Sequence, residues 1–167
     1  MPDPRKFRAG ILTISDKGHA GERHDMSGPE VAKLLDPACY EVARLTIVPD
    51  EWEPIVQTLV EWSDREKLDL ILTTGGTGMT PRDITPEATL SVLERLAPGL
   101  PEAMRAASLA QTPHAMLSRA VAGIRGGTLI INLPGSPRGA RENLSAILAA
   151  LPHALEKLAG SPAECAS

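Results

Sequence analysis

Aromatic side chains are nearly absent. Phe7, Tyr40, Trp52 and Trp62 are 2% of the 167 residues, so the core must be aliphatic and little is left for stacking single-stranded nucleic acid. Cysteine is equally scarce. Cys39 and Cys165 are the two present, too few and too far apart for a disulfide framework or a cysteine-rich zinc site, and they read as a half-buried thiol and a tail thiol. There is no basic excess either: 17 Lys and Arg stand against 21 Asp and Glu, for a net charge of −4. That balance argues against a general nucleic-acid or anionic-membrane binder, although a small anionic substrate needs only a local cluster of arginines. Long apolar runs are missing too. The polar N-terminus leads only into Ile11–Ile14, shorter than a signal-peptide core and far short of a membrane span. The expectation is a soluble, cytoplasmic protein with neither nucleic acid nor membrane as partner.

What remains is ordinary globular usage, 43% hydrophobic and 23% charged, in a length that suits one domain over residues 1–167 with a frayed tail at 161–167. Four segments read as strands. Arg8–Ser15, Leu68–Thr74 and Thr128–Leu133 are nearly continuous apolar runs, the pattern of central strands covered on both faces. Tyr40–Val48 alternates, with Ala43, Leu45 and Ile47 on one side and Arg44 and Thr46 on the other, which suits a place near the sheet edge. Between them lie amphipathic helices: one from Ser27 to Asp36, one carrying Trp52, Ile55, Val56 and Leu59, one opened by Thr85-Pro86-Glu87 and ending before Pro98, and one from Pro101 through Ala110. A last helix follows Pro137 and should kink at Pro152. Alternating strands and helices imply an α/β fold of three layers, α/β/α, around a mostly parallel central sheet.

In such folds ligands sit beyond the carboxyl ends of the strands, and the chemically unusual loops all follow strands. Ser15-Asp16 and a Gly- and His-containing stretch to Met26 follow the first, and Pro49-Asp50-Glu51 the second. Gly75-Gly76-Thr77-Gly78 with Pro81-Arg82-Asp83 follows the third, and Pro134-Gly135-Ser136-Pro137 the last. Glycines let a backbone turn sharply and bring its N–H groups close to a phosphate. The Gly75–Gly78 loop is neither a Walker loop nor a Rossmann fingerprint, and a ligand-free tight turn is its plainer reading. Asp50 reads either as the cap of the helix at Glu51, with Glu53 completing a capping box, or as a metal carboxylate. Asp83 reads as a local Asx turn or as its partner at Mg²⁺, an ion that takes one or two carboxylates together with substrate phosphates. Ser136 can cap the final helix, whose free N–H groups make an anion cradle. Arg105, Ser108, Ser118 and Arg119 are a solvated face taken singly and candidate phosphate clamps taken together. His19, His24, His114 and His153 show no ligand spacing, though His24 would touch substrate if its loop folded over the site.

Three ordered motifs then carry a resemblance: Thr74–Gly78 with Thr80–Thr89, Met116–Gly126, and Ile131–Pro137, with Leu12–Asp16 and Asp25–Gly28 also in pattern. Over residues 8–159 the chain resembles the molybdopterin adenylyltransferases, the MogA/MoaB-type proteins and the G domains of gephyrin. The resemblance implies a three-layer α/β fold, commonly a trimer or a dimer of trimers. It implies transfer of AMP from Mg-ATP to molybdopterin with release of pyrophosphate, and hand-over of the product to a separate molybdate-inserting protein. Asp50 and Asp83 match the family's essential carboxylates for metal binding and catalysis, and Ser108 a substrate-contacting serine. The Gly75, Gly76, Thr77 and Gly78 loop and the Pro134, Gly135 and Ser136 turn match the surroundings of nucleotide and pterin phosphate. Ser15, Asp16, Arg82, Ser118 and Arg119 join them as expected substrate contacts. Family members without transferase activity tend to break the Pro-Arg-Asp segment, which this chain keeps. The rivals are a molybdopterin carrier without turnover and a nucleotide pyrophosphatase on the related fold of competence-damage proteins.

Overall fold

The computed structural model describes residues 5–162. The tail expectation at 161–167 and the second thiol, Cys165, therefore fall mostly outside the described residues; Cys39 is exposed, not half-buried. Among the described residues six strands form one sheet in the order β2-β1-β3-β6-β5-β4: β1 (Phe7–Ile14), β2 (Tyr40–Val48), β3 (Leu70–Thr74), β4 (Arg95–Leu96), β5 (Ala122–Arg125) and β6 (Thr128–Leu133). The first four in that order run parallel, while β5 and β4 are antiparallel additions. The mixed pattern of Tyr40–Val48 is explained by its place, since β2 is the outer strand of the parallel half.

Among the described residues seven α-helices accompany the strands: α1 (Asp16–His19), α2 (Ser27–Leu34), α3 (Trp52–Val60), α4 (Thr85–Val92), α5 (Gly99–Leu109), α6 (Pro137–Ile147) and α7 (Leu151–Leu158). Successive residues of a strand point to opposite faces, and the two faces of this sheet are covered by different helices. Ile11, Leu70, Leu72, Leu129, Ile131 and Leu133 pack against α2, α5, α6 and α7 through Val31, Met104, Leu144 and Leu155. Leu12, Ile71 and Ile130 pack against α3 and α4 through Ile55, Leu59 and Val92. Those are the three layers.

Three local expectations are corrected. The helix opened by Thr85 stops at Val92, and the chain then adds the two-residue strand β4 beside β5. The final helix is not one kinked rod: α6 ends at Ile147, a 3-10 turn covers Leu148–Ala150, and Pro152 sits in the first turn of α7, where its missing N–H is harmless. Trp52 opens α3 but is 45% exposed, so it is not part of that helix's buried stripe.

Across the sheet toward α4, one buried amide ties β6 to β3, to α4 and to the residue that leads into β5. Asn132 Nδ2 donates to Thr73 Oγ1 at 2.9 Å and to Thr89 Oγ1 at 3.0 Å, and its Oδ1 accepts from Val121 N at 3.2 Å. Removing one partner strands the others in the core. Asn132→Ala should therefore cost about 2 kcal/mol, lowering the melting midpoint by roughly 4–8 °C in a thermal scan. A midpoint equal to wild type would show that the network carries no stability.

Candidate active site

The parallel half of the sheet brings the ends of β2, β1, β3 and β6 side by side, so four loops distant in sequence meet along one edge. The turn after β3 is held by backbone geometry. Gly75 and Gly76 have φ of 105° and 69°, a region costly for residues with a side chain. A Cβ on Gly75 would run into the Ile14 carbonyl, and one on Gly76 into Thr85 Oγ1. The β6 turn lies against the β3 turn. Gly75 N donates to Leu133 O at 3.2 Å and Thr74 Oγ1 to Pro134 O at 2.8 Å, while Ser27 Oγ donates to Gly135 O at 2.6 Å.

Between these loops lies a cleft of about 670 Å³. Of the residues expected from sequence, Ser15, Asp50, Gly75, Gly76, Asp83, Gly135 and Ser136 line it. Asp50 and Asp83, 33 positions apart in the chain, thus share one cavity. The cleft also takes Thr13, Arg23, Asp25 and Ser27, none of which the sequence had singled out as ligand contacts. Asp25 is tied down locally, accepting from Thr13 Oγ1 at 2.8 Å and from Gly28 N at 3.1 Å. The position of Asp25-Met26-Ser27-Gly28 within the family pattern was the one signal that pointed to it. His24 lines the cleft as well; His19 and His114 are exposed.

The remaining expected residues do not line the cleft, though several of them hold the loops that do. Asp16 and Asp50 hold each other's backbones: Asp16 N donates to Asp50 Oδ2 at 2.9 Å and Asp50 N to Asp16 Oδ1 at 3.0 Å. The capping-box reading of Asp50 fails, since Glu51 occupies the N-cap of α3 and makes no side-chain cap bond. Arg82 is committed to Asp16 in a two-pronged pair, at 2.9 and 2.8 Å. Arg119 is likewise occupied. Its guanidinium donates to Gly78 O at 2.7 Å, to Asp83 O at 2.5 Å and to the Glu87 carboxylate, so it fixes the Asp83 loop. Thr77 is buried beside it, its carbonyl accepting from Arg119 N at 2.9 Å. Asp83 keeps a local bond too, accepting from Thr80 N at 2.9 Å and Thr80 Oγ1 at 2.7 Å. Ser108 is buried and accepts from Asn143 Nδ2 at 2.8 Å. Ser118 gives its carbonyl to Arg105 at 3.2 Å. Ser136 does cap α6, accepting from Gly139 N at 3.0 Å, and so places that helix's N-terminus at the cleft wall.

The two adjoining aspartates differ electrostatically. Hydrogen bonding from Arg82 holds the Asp16 carboxyl below the usual aspartate range. Burial pushes the Asp50 carboxyl above that range, and the negative charges of Asp16 and Asp83 add to the effect, against the Asp16 amide bond and Arg82. Among the described residues no group of three or more His, Cys, Asp or Glu forms a metal cage, but one or two carboxylates facing a cleft are what magnesium takes when phosphates supply the rest.

A carboxyl raised in the folded state binds its proton more readily there than in the unfolded chain. Its contribution to stability is therefore present at low pH and lost as pH rises from the ordinary aspartate value of 3.8 through the raised one. Asp50→Asn keeps an acceptor for Asp16 N and removes the buried charge. The unliganded variant should melt at or above the wild-type temperature at neutral pH, with the difference closing as pH falls toward the ordinary aspartate range. A neutral-pH midpoint clearly below wild type in a pH series of thermal scans would contradict this.

Comparison with known proteins places the cleft in context. Residues 10–153 match the family model described as a probable molybdopterin binding domain. The crystal structure of the molybdopterin biosynthesis enzyme MoaB from Thermus thermophilus is similar, with 56% identity and a TM-score of 0.89 over 95% of this chain and 99% of that one. Molybdopterin adenylyltransferase of Helicobacter pylori is 42% identical over 154 residues, 91% of this chain and 88% of that protein. Gephyrin of Dictyostelium discoideum is 45% identical over 163 residues, 92% of this chain but only 23% of gephyrin's length. With a matching domain over most of its length and a matching fold, this chain belongs to the molybdopterin-binding-domain family that includes the bacterial molybdopterin adenylyltransferases.

Proposed function

We propose that this protein is a molybdopterin adenylyltransferase, transferring AMP from ATP to molybdopterin in molybdenum cofactor biosynthesis. The observation that carries the reading is the convergence of Asp50 and Asp83 on one cleft with the Gly75-Gly76 turn and the capped start of α6. The name of the Helicobacter relative, which matches along most of both chains, supports it.

In this reaction a terminal phosphate oxygen of molybdopterin attacks the α-phosphorus of ATP, a new phosphoanhydride bond forms, and the bond to the β-phosphate breaks to release pyrophosphate. Such a transfer needs positioning and charge stabilisation and no covalent nucleophile from the protein. Asp50 and Asp83 are the residues that would hold Mg²⁺, which when bound neutralises negative charge building on the phosphoryl group. Their fit to a cation rests on the pair itself, since two carboxylates facing one cleft, one of them raised by burial, repel each other until a positive charge joins them. The chain's own groups do the remaining work. The Gly75-Gly76 turn lets a phosphate approach the backbone closely, and the α6 N-terminus offers N–H groups and positive dipole. Arg23 is an arginine at the cleft wall, and among the described residues it makes none of the ion pairs that occupy Arg82 and Arg119.

The same reading extends to the setting of the protein: a homotrimer or hexamer, acting in the cytoplasm as one domain, whose product passes to a separate molybdate-inserting protein. No helix among the described residues is long and apolar enough to cross a membrane, which accords with that setting.

The decisive assay is pyrophosphate release from Mg-ATP with and without molybdopterin. Release should depend on the pterin. Asp83→Asn should lower it by at least about a hundredfold, the scale expected for losing a group that stabilises transition-state charge, while molybdopterin stays bound. Pterin-independent hydrolysis would instead mark a nucleotide pyrophosphatase, and pterin binding without turnover a carrier.

A further inference from the structure

Several buried threonine hydroxyls are hydrogen-bonded, but one beside the cleft is not. Thr73 and Thr89 accept from Asn132, Thr74 donates to Pro134 O, and Thr128 donates to Leu68 O at 2.6 Å. Thr85 is 0% exposed, and its hydroxyl has no hydrogen-bond partner at all. Its sequence context, just before Pro86-Glu87, would suit a hydroxyl that caps α4. Yet Ile84 holds the N-cap and Ala88 N bonds to the Ile84 carbonyl at 3.0 Å. The Thr85 backbone is occupied, with its N donating to Gly76 O at 3.1 Å. Only the side chain is idle. Burying a hydroxyl without a partner is unfavourable, and valine has nearly the same shape without that penalty.

The hydroxyl's surroundings point to its use. A Cβ on Gly76 would run into Thr85 Oγ1 and would also lie 3.2 Å from Asp50 Oδ1. Both oxygens therefore lie close to the Gly76 backbone, where the missing side chain leaves them room. Asp50 gives its other oxygen, Oδ2, to the Asp16 amide, and Oδ1 is the oxygen that lies near the same glycine as the idle donor. The other orphaned groups among the described residues belong to Tyr40, Ser63 and Glu66, and none of them is among the atoms nearest to a Cβ on Gly76.

We propose that Thr85 is a positioning residue for Asp50, donating its hydroxyl hydrogen bond to Asp50 Oδ1 across the Gly76 gap when the cleft holds a nucleotide and a divalent cation. The proposal rests on the adenylyltransferase reading for its substrate and on the geometry at Gly76 for its mechanism. A carboxylate anchored at one oxygen alone can still swing. A second donor at the opposite oxygen fixes the rotation of the group, which is how a supporting residue sharpens a binding site. Threonine at this place is then a fold-level cost accepted for a loaded-state contact.

Three proteins test it: wild type, Thr85→Val and Thr85→Ser. Unliganded Thr85→Val should melt at or above wild type, since it loses only an unpartnered hydroxyl. Its upward shift in melting temperature on adding Mg-ATP should shrink to less than half that of wild type. In the transfer assay its kcat should fall at least tenfold with KM for molybdopterin unchanged, and Thr85→Ser should recover most of both losses. The proposal is overturned if Thr85→Val keeps the wild-type Mg-ATP shift and kcat. It is also overturned if the valine and serine variants lose activity alike together with unliganded stability, the signature of a packing role. Should wild type itself transfer no AMP, the adenylyltransferase reading falls, and the Mg-ATP shift alone still decides on Thr85.

Discussion

At the end of β3 the chain leaves the sheet between two neighbours that end at the same level, and the backbone at Gly75 passes against the Ile14 carbonyl with no room for a side chain. On its other flank Gly135 also comes close, its absent Cβ lying 3.2 Å from Gly75 Cα. Everything in the cleft depends on that three-way approach of β1, β3 and β6. The positive φ angles of Gly75 and Gly76 turn the chain over Asp50 and Thr85 instead of out into solvent. The bonds from Thr74 and Gly75 to the β6 turn then hold the two phosphate-facing loops as one rigid wall.

The charges on this edge divide into two kinds. Asp16, Arg82, Arg119 and Glu87 are matched to one another or to backbone carbonyls. Their pairs are partly exposed, where such contacts give little stability, so what they supply is shape: Asp16 locks the β1 loop to the β2 loop, and Arg119 clamps the carbonyl of Asp83. Asp50, Asp83 and Arg23 lie at the cleft surface, and there burial disfavours the ionised form of Asp50. A site meant to meet a polyphosphate with its counter-ion has this character, with a satisfied frame around groups left unmatched until the ligand arrives.

The sequence made the parallel half of the sheet legible because β1, β3 and β6 are covered on both faces and so read as unbroken apolar runs. The strands β4 and β5 were missed for the opposite reason. They are two and four residues long, they pair antiparallel at an edge, and Gly123 interrupts any periodic signal. The site was legible where loops directly follow strands, which located Asp50, Asp83 and the glycine turns. It was not legible where function depends on partners far along the chain. Arg119 and Arg82 look like phosphate clamps in one dimension, and only the fold shows that Arg119 reaches back 41 residues to Gly78 and Arg82 reaches 66 to Asp16. Asp25 was hidden differently, inside a loop whose local bonds to Thr13 and Gly28 have no sequence signature apart from the family pattern.

The contrast between Asn132 and Thr85 shows why satisfaction of buried polar groups separates scaffold from site. Both are 0% exposed and lie near the same strand ends. Asn132 uses both of its polar atoms, on Thr73, Thr89 and the Val121 amide, so its energetics close within the folded chain. The Thr85 hydroxyl closes nothing, although its neighbours are rigid enough to have supplied an acceptor. Folding alone would select against such a group, because an isosteric apolar side chain fills the space at lower free energy. A buried donor that stays unmatched beside a half-anchored carboxylate is what a site would leave in its resting state if its hydrogen bonds were completed only on loading.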